Sequence, residues 1–179
     1  MAEEKPETKE NKMRKIKIEK VVLSIGGKAE ELEKGVKLLG RLTGKKVVKR
    51  KSRKRIPTLG VRPGLEVGCM VSLRGKEAEE ILKRLLVTID NQIKEKQILS
   101  NSFSFGIKEY IEIPGTEYQR DIGIIGFDVS VAFARSGKRV IRKKIKRGKL
   151  PKKQQVTKEE IIDFLKNKFN VNILMRREK

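Results

Sequence analysis

The sequence predicts an α+β domain: a mostly antiparallel sheet with helices packed on one face and the other face left open to a partner. Three observations carry that prediction. Two segments alternate cleanly between apolar and polar positions, the mark of strands buried on one side only. Two longer segments place apolar residues three and four apart, the mark of helices lying on a core. The segments follow one another as strand, helix, strands, helix, strands, helix, with no internal repeat.

Residues 1–12 are polar, of mixed charge and Pro-containing, and read as a disordered tail. A single domain is expected over 13–170, with 171–179 as a C-terminal tail. Lys15–Ile25 is rich in β-branched residues and partly alternating (Ile16, Ile18, then Val21, Leu23, Ile25), which predicts a strand or two strand pieces ended by Gly26-Gly27. Ala29–Thr43 aligns Leu32, Val36, Leu39 and Leu42 on one helical stripe. Its acids come early and its bases late, as the helix dipole prefers, and Gly44 supplies the C-cap.

Lys45–Arg50 reads as a short edge strand, and Lys51–Gly64, with Pro57, Gly60, Pro63 and Gly64, as a long basic loop that orders on binding. In Leu65–Arg74, Val67, Cys69, Val71 and Leu73 share one face, while Met70, Ser72 and Arg74 lie on the other. Lys76–Lys96 is expected to be one long helix through Ile81, Leu82, Leu85, Leu86, Ile89 and Ile93. Phe103–Ile113 and Phe127–Phe133 read as strands, separated by a Pro/Gly-containing loop. Arg135–Lys153, with 11 Lys/Arg in 19 positions, reads as an extended basic arm. Thr157 and Glu160 form a capping box that opens a last helix through Ile161, Ile162, Leu165 and Phe169.

Composition then narrows function. The chain of 179 residues has no histidine, which excludes His-based general-base chemistry and the commonest transition-metal sites. One cysteine excludes a disulfide framework. Cys69 lies on an apolar strand face without a base and reads as packed structure rather than a nucleophile. Glu77, Glu79 and Glu80 fall in a helix's first turn, and Asp121 and Asp128 stand alone, so no acid–base pair or metal cluster is expected. The glycines match no phosphate-binding fingerprint. No enzyme, no cofactor, no metal site and no small-molecule substrate is predicted. No apolar run approaches the ~20 residues of a membrane span, and the N-terminus lacks the apolar core of a leader, so a cytoplasmic protein is expected.

The net charge is +22, and its distribution is uneven. Residues 34–65 hold 12 Lys/Arg and no acid, and residues 129–158 hold 12 Lys/Arg and no acid. The remaining 117 residues carry 21 basic and 23 acidic side chains, so the whole excess sits in those two windows. Like charges at that density destabilise a compact state until a polyanion neutralises them. A membrane surface would require an amphipathic helix with apolar anchors, whereas Lys45–Arg55 is basic on every face and the chain has no Trp. Stacking on single strands would need aromatics among the bases, and none stands among the clustered cations of 34–65 or 135–153. Folded RNA, held by shape and phosphate contact, fits best.

The motifs IKIEKVVLSIG, LTGKK and KRKSRKRIPTLGVRPGLEVGCMVSLRG, followed by FSFGIKEYIEIPGTEYQRDIGIIGFDVSV, resemble the universal large-subunit ribosomal family that binds 5S ribosomal RNA, the "L-five" family. GKRVIRKKIKRGK followed by VTKEEIIDF resembles its archaeal/eukaryotic branch. The resemblance spans about residues 13–170. It implies a ribosomal protein of the central protuberance, with 5S rRNA, large-subunit rRNA, P-site tRNA and neighbouring proteins as partners. It assigns Ser24, Lys45, Lys49, Arg50, Met70, Ser72 and Arg74 to the 5S-facing sheet surface. Lys51, Ser52, Arg53, Lys54, Arg55, Thr58 and Arg62 fall on the loop that reaches tRNA. The basic arm, through Arg135, Lys138, Arg139, Arg142, Lys143, Lys144, Lys146 and Arg147, is expected to add rRNA contacts. The rival is a basic RNA chaperone outside the ribosome, which sedimentation with large subunits would distinguish.

Overall fold

A computed structural model describes residue 11 and residues 13–174. Most of the stretch read as an N-terminal tail, and residues 175–179, lie outside the described residues. Strand β1 (Lys17–Gly26) leads into helix α1 (Ala29–Thr43), edge strand β2 (Val48–Lys51) and strand β3 (Glu66–Leu73). Helix α2 (Lys76–Thr88) follows, then β4 (Gln92–Lys94), β5 (Ile98–Leu99), β6 (Ser102–Ile107) and β7 (Phe127–Ala134). A one-turn helix α3 (Arg139–Arg142), helix α4 (Lys158–Phe169) and β8 (Asn172–Leu174) complete the chain.

Six strands form one antiparallel sheet in the order β2-β3-β1-β7-β6-β5. Alternation divides it as expected. Val21, Leu23, Ile25, Cys69, Val71, Leu73, Val129, Val131 and Phe133 are all buried on the side that faces the helices. Phe103 stacks on Phe105 and Phe133, at 5.8 Å between ring centroids in each pair, and Phe164 of α4 meets Phe133 edge-on at 5.5 Å. At Gly35 a methyl group would come within 3.1 Å of both Cys69 Sγ and Ile25, so glycine lets α1 lie this close to β1 and β3 without displacing either side chain. Burial at that contact pushes the Cys69 thiol pKa up, the opposite of what a nucleophile needs.

Four expectations give way to the structure, the first being the start of the C-terminal tail, where Val171 is buried and Asn172–Leu174 form β8. The long helix stops at Thr88, because Asp90 and Asn91 both turn left-handed (φ 53°), a conformation that short polar side chains tolerate. Ile93, which continued the helical stripe in sequence, is instead buried on β4, which pairs in parallel with β8. The strand from Phe103 ends at Ile107, and Tyr110–Glu112 forms a 3-10 turn that buries Tyr110. The arm of 135–153 is not extended. It folds back, with α3 inside it and ion pairs to the body at Glu19 and Glu160.

Candidate nucleic-acid interface

The face of the sheet away from the helices is lined with small and polar residues. Register sets Val48, Met70, Ser24, Asp128 and Gly106 in one row across five strands. The next row is Ser72, Val22, Ser130 and Ser104. Glycines and serines in such rows leave room for a sugar–phosphate backbone to approach, and the hydroxyls can donate to it. Charge divides this face. Arg50 lies on the β2–β3 side, its guanidinium 3.7 Å from Met70 Sδ, whereas Asp128 on β7 would repel a phosphate. A phosphate backbone therefore favours the β2-β3-β1 half, where Lys45, Lys46, Val48, Met70 and Ser72 also line an open groove of about 500 Å³.

Of the seven sheet residues expected to act together, Ser24, Arg50, Met70 and Ser72 share the open face, and Arg74 follows directly beyond β3. Lys49 does not join them. Its register partner is the buried Cys69, so it leaves β2 on the helix side, and its ammonium lies 3.2 Å from Glu66. Lys45, before β2, pairs with Glu77 at the start of α2. Both pairs are well exposed and hold their lysines weakly.

The loop between β2 and β3 is closed rather than open-ended. Ser52 N–H donates to the Leu65 carbonyl at 2.8 Å, and Gly64 N–H returns to the Ser52 carbonyl at 2.9 Å. Ile56 and Val61 form a bridge around a 3-10 turn at Pro57–Leu59, and Val61 is buried. The Ser52 hydroxyl donates to the Lys54 carbonyl, so Ser52 shapes the loop. Lys28 at the start of α1 donates to the Leu59 carbonyl and steadies the tip, a role that left no mark on the local sequence pattern. Lys51, Arg53, Lys54, Arg55, Thr58 and Arg62 are exposed, and the five cations have no acidic partner among the described residues.

The arm sorts its eight predicted residues differently. Arg135, Lys138 and Arg142 are paired with Glu160 and Glu19, and of the three only Arg135 has a buried side chain. Arg139, Lys143, Lys144, Lys146 and Arg147 are exposed without an acidic partner among the described residues. Loop and arm occupy opposite ends of β1. Gly68, just after the loop, pairs with Gly26, and Ala134, just before the arm, pairs with Lys17. Ten strand residues separate the two ends by about 30 Å.

An uncrowded sheet face between two cationic poles marks a strongly basic α+β protein whose surface suits a polyanion. Two family models match the chain: ribosomal protein L5 over residues 11–62, and the C-terminus of the same ribosomal family over residues 66–164. The chain belongs to the ribosomal protein L5 family, whose members are structural rather than enzymatic. It is 45% identical over 168 residues to large ribosomal subunit protein uL5 of Nanoarchaeum equitans, covering 92% of this chain and 99% of that one. It is 44% identical to the protein of that name from Sulfurisphaera tokodaii (92% and 95% covered). With the one from Methanosphaera stadtmanae the identity is 40% (91% and 99% covered).

Proposed function

We propose that the chain is a structural constituent of the large ribosomal subunit, working in the cytoplasm with the ribosome. In this reading it binds 5S rRNA on the β2-β3-β1 half of its open face and helps hold that RNA in the central protuberance. The loop of 51–64 extends the contact to P-site tRNA, and the arm adds large-subunit rRNA. Neighbouring proteins of the protuberance complete the set of partners. The observation that carries the reading is the loop's five cations, without an acidic partner among the described residues, beside a face of serine and glycine, in a chain of this family. Ser24, Met70 and Ser72 sit on rigid strands and suit a fixed RNA in register, with Arg50 and Arg74 at its phosphates. The loop suits a partner that comes and goes.

Titrating 5S rRNA with purified protein between roughly 50 and 300 mM salt tests this. Affinity should fall steeply and linearly on a log–log plot as Lys and Arg displace condensed counterions. A flat response would remove phosphate contact as the basis of binding.

A further inference from the structure

The arm is closed at its base and fastened to the body by acids that lie outside its own window. Arg135 donates to the Lys153 carbonyl and Gln154 to the Ser136 carbonyl, each at 3.0 Å. Further along, Gly148 N–H donates to the Val140 carbonyl at 3.3 Å, which folds the strand after α3 back onto it. The segment is thus a compact Ω-type loop.

Its placement depends on one residue of β1. The register of β1 with β7 slips between Ile18, opposite Phe133, and Lys20, opposite Ala132, which leaves Glu19 as the extra residue of a bulge. A bulge re-aims the side chain it carries. Glu19 binds Arg142 through one carboxylate oxygen and Lys138 through the other, and its side chain is only 12% exposed. The carboxylate is enclosed and holds two cations at once, unlike the exposed single pairs at Lys45 and Lys49. With Lys138 and Arg142 held by Glu19, Arg139, Lys143, Lys144, Lys146 and Arg147 are left facing solvent.

We propose that Glu19 is the positioning residue of a preassembled phosphate-binding surface, formed by those five cations, for the backbone of a folded RNA at the end of the sheet opposite the 51–64 loop. The proposal rests on the RNA-binding reading above and adds the residue that sets the arm's geometry. Ordering a mobile loop at the moment of binding subtracts from affinity, so fixing it beforehand strengthens binding. The sign of the effect separates this from simple charge attraction. Glu19→Gln raises the net charge by one, so attraction alone would tighten RNA binding. Loss of the positioning contact should instead weaken it, by about tenfold.

The test uses the full chain as wild type, as Glu19→Gln, as the double variant Lys138→Met/Arg142→Met, and as Lys143→Ala/Lys144→Ala/Lys146→Ala/Arg147→Ala. Each is measured by amide hydrogen exchange without RNA and by titration with 5S rRNA, and with a large-subunit rRNA fragment, at one salt concentration. Glu19→Gln and the double variant should speed exchange at Val140, Ile141, Lys143 and Gly148, the amides that close α3 and the arm. Glu19→Gln should also bind at least one of the RNAs more weakly. The quadruple variant should keep wild-type exchange and lose affinity for that same RNA. Unchanged exchange in Glu19→Gln, or equal or tighter binding of both RNAs, overturns the proposal alone. A wild type that binds neither RNA overturns the RNA-binding reading and this proposal together.

Discussion

The loop of 51–64 and the window of 129–158 both lack acids of their own, yet the fold treats them differently. Among the described residues, no acid pairs with the cations of the 51–64 loop. Its shape comes from backbone hydrogen bonds, the Ile56–Val61 bridge and one lysine at its tip. The window of 129–158 is fastened by three carboxylates from elsewhere: Glu19 on Lys138 and Arg142, Glu160 on Arg135, and Glu95 on Lys158. Charge density therefore does not tell which cations remain for a partner. What decides is whether acids distant in sequence are brought beside them. Within the arm, cations divide into fasteners and, on our proposal, contacts, whereas none of the loop's five cations has an acidic partner among the described residues.

That contrast can be broken most directly at the loop. Arg53→Ala, Lys54→Ala, Arg55→Ala and Arg62→Ala together should weaken tRNA binding to reconstituted subunits by about a hundredfold near 0.15 M salt, and lower the salt slope by about 3–4. The melting temperature should stay within about a degree or two of wild type, since no core or paired group is touched. Unchanged tRNA binding with lost 5S rRNA would exchange the roles of loop and sheet.

The next test compares an inward with an outward cation of one arm. Arg135, with only 8% of its side chain exposed, holds both Glu160 and the Lys153 carbonyl. Arg135→Met should cost about 2 kcal/mol in urea denaturation. Arg147→Met should cost less than about 0.5 kcal/mol. Equal costs would erase the distinction between fasteners and contacts.

A third substitution lies in neither window and calibrates them. Cys69→Ser places a hydroxyl between α1 and the sheet and should destabilise by about 1–2 kcal/mol. The RNA affinity of the folded protein should not move, and a loss would put the helix side of β3 at the interface.

The smallest effect is a pH dependence. The Lys158 ammonium hydrogen-bonds Glu95 at 2.6 Å and holds its carboxyl pKa below the ordinary 4.5. A pKa lowered by folding contributes stability that is complete above the unfolded value and is lost as pH falls through the folded one. Lys158→Met should therefore melt slightly earlier than wild type at pH 7. In thermal melts the two should converge once the pH passes below Glu95's lowered value.

Much of this was legible in the sequence, for local reasons. Ala29–Thr43 carries its apolar stripe, its charge order and its terminal glycine within one segment, and α1 has those limits. The alternation around Cys69 and Val129 depends only on the two-residue period of a strand. The overrun of α2 has an equally local origin, because Ile89 and Ile93 keep helical spacing across the left-handed pair Asp90-Asn91. The fastening of the arm could not be read, since Glu19 lies 119 residues before Lys138 and sits among lysines that conceal its role. Lys49 misled for a related reason: which face it takes depends on the register of β2 against β3.

The central place of β1 has a consequence in time. This strand leaves the ribosome that makes it ahead of both its partners, and β3, on one side, follows within about fifty residues. Its partner on the other side, β7, begins only at Phe127. At about 5–20 residues per second, the newborn chain holds an unpaired edge of its middle strand for several seconds, up to about 20. Exposed strand edges invite pairing between chains. The positive charge of the first window, made during that wait, would keep neighbouring copies apart until β7 closes the edge.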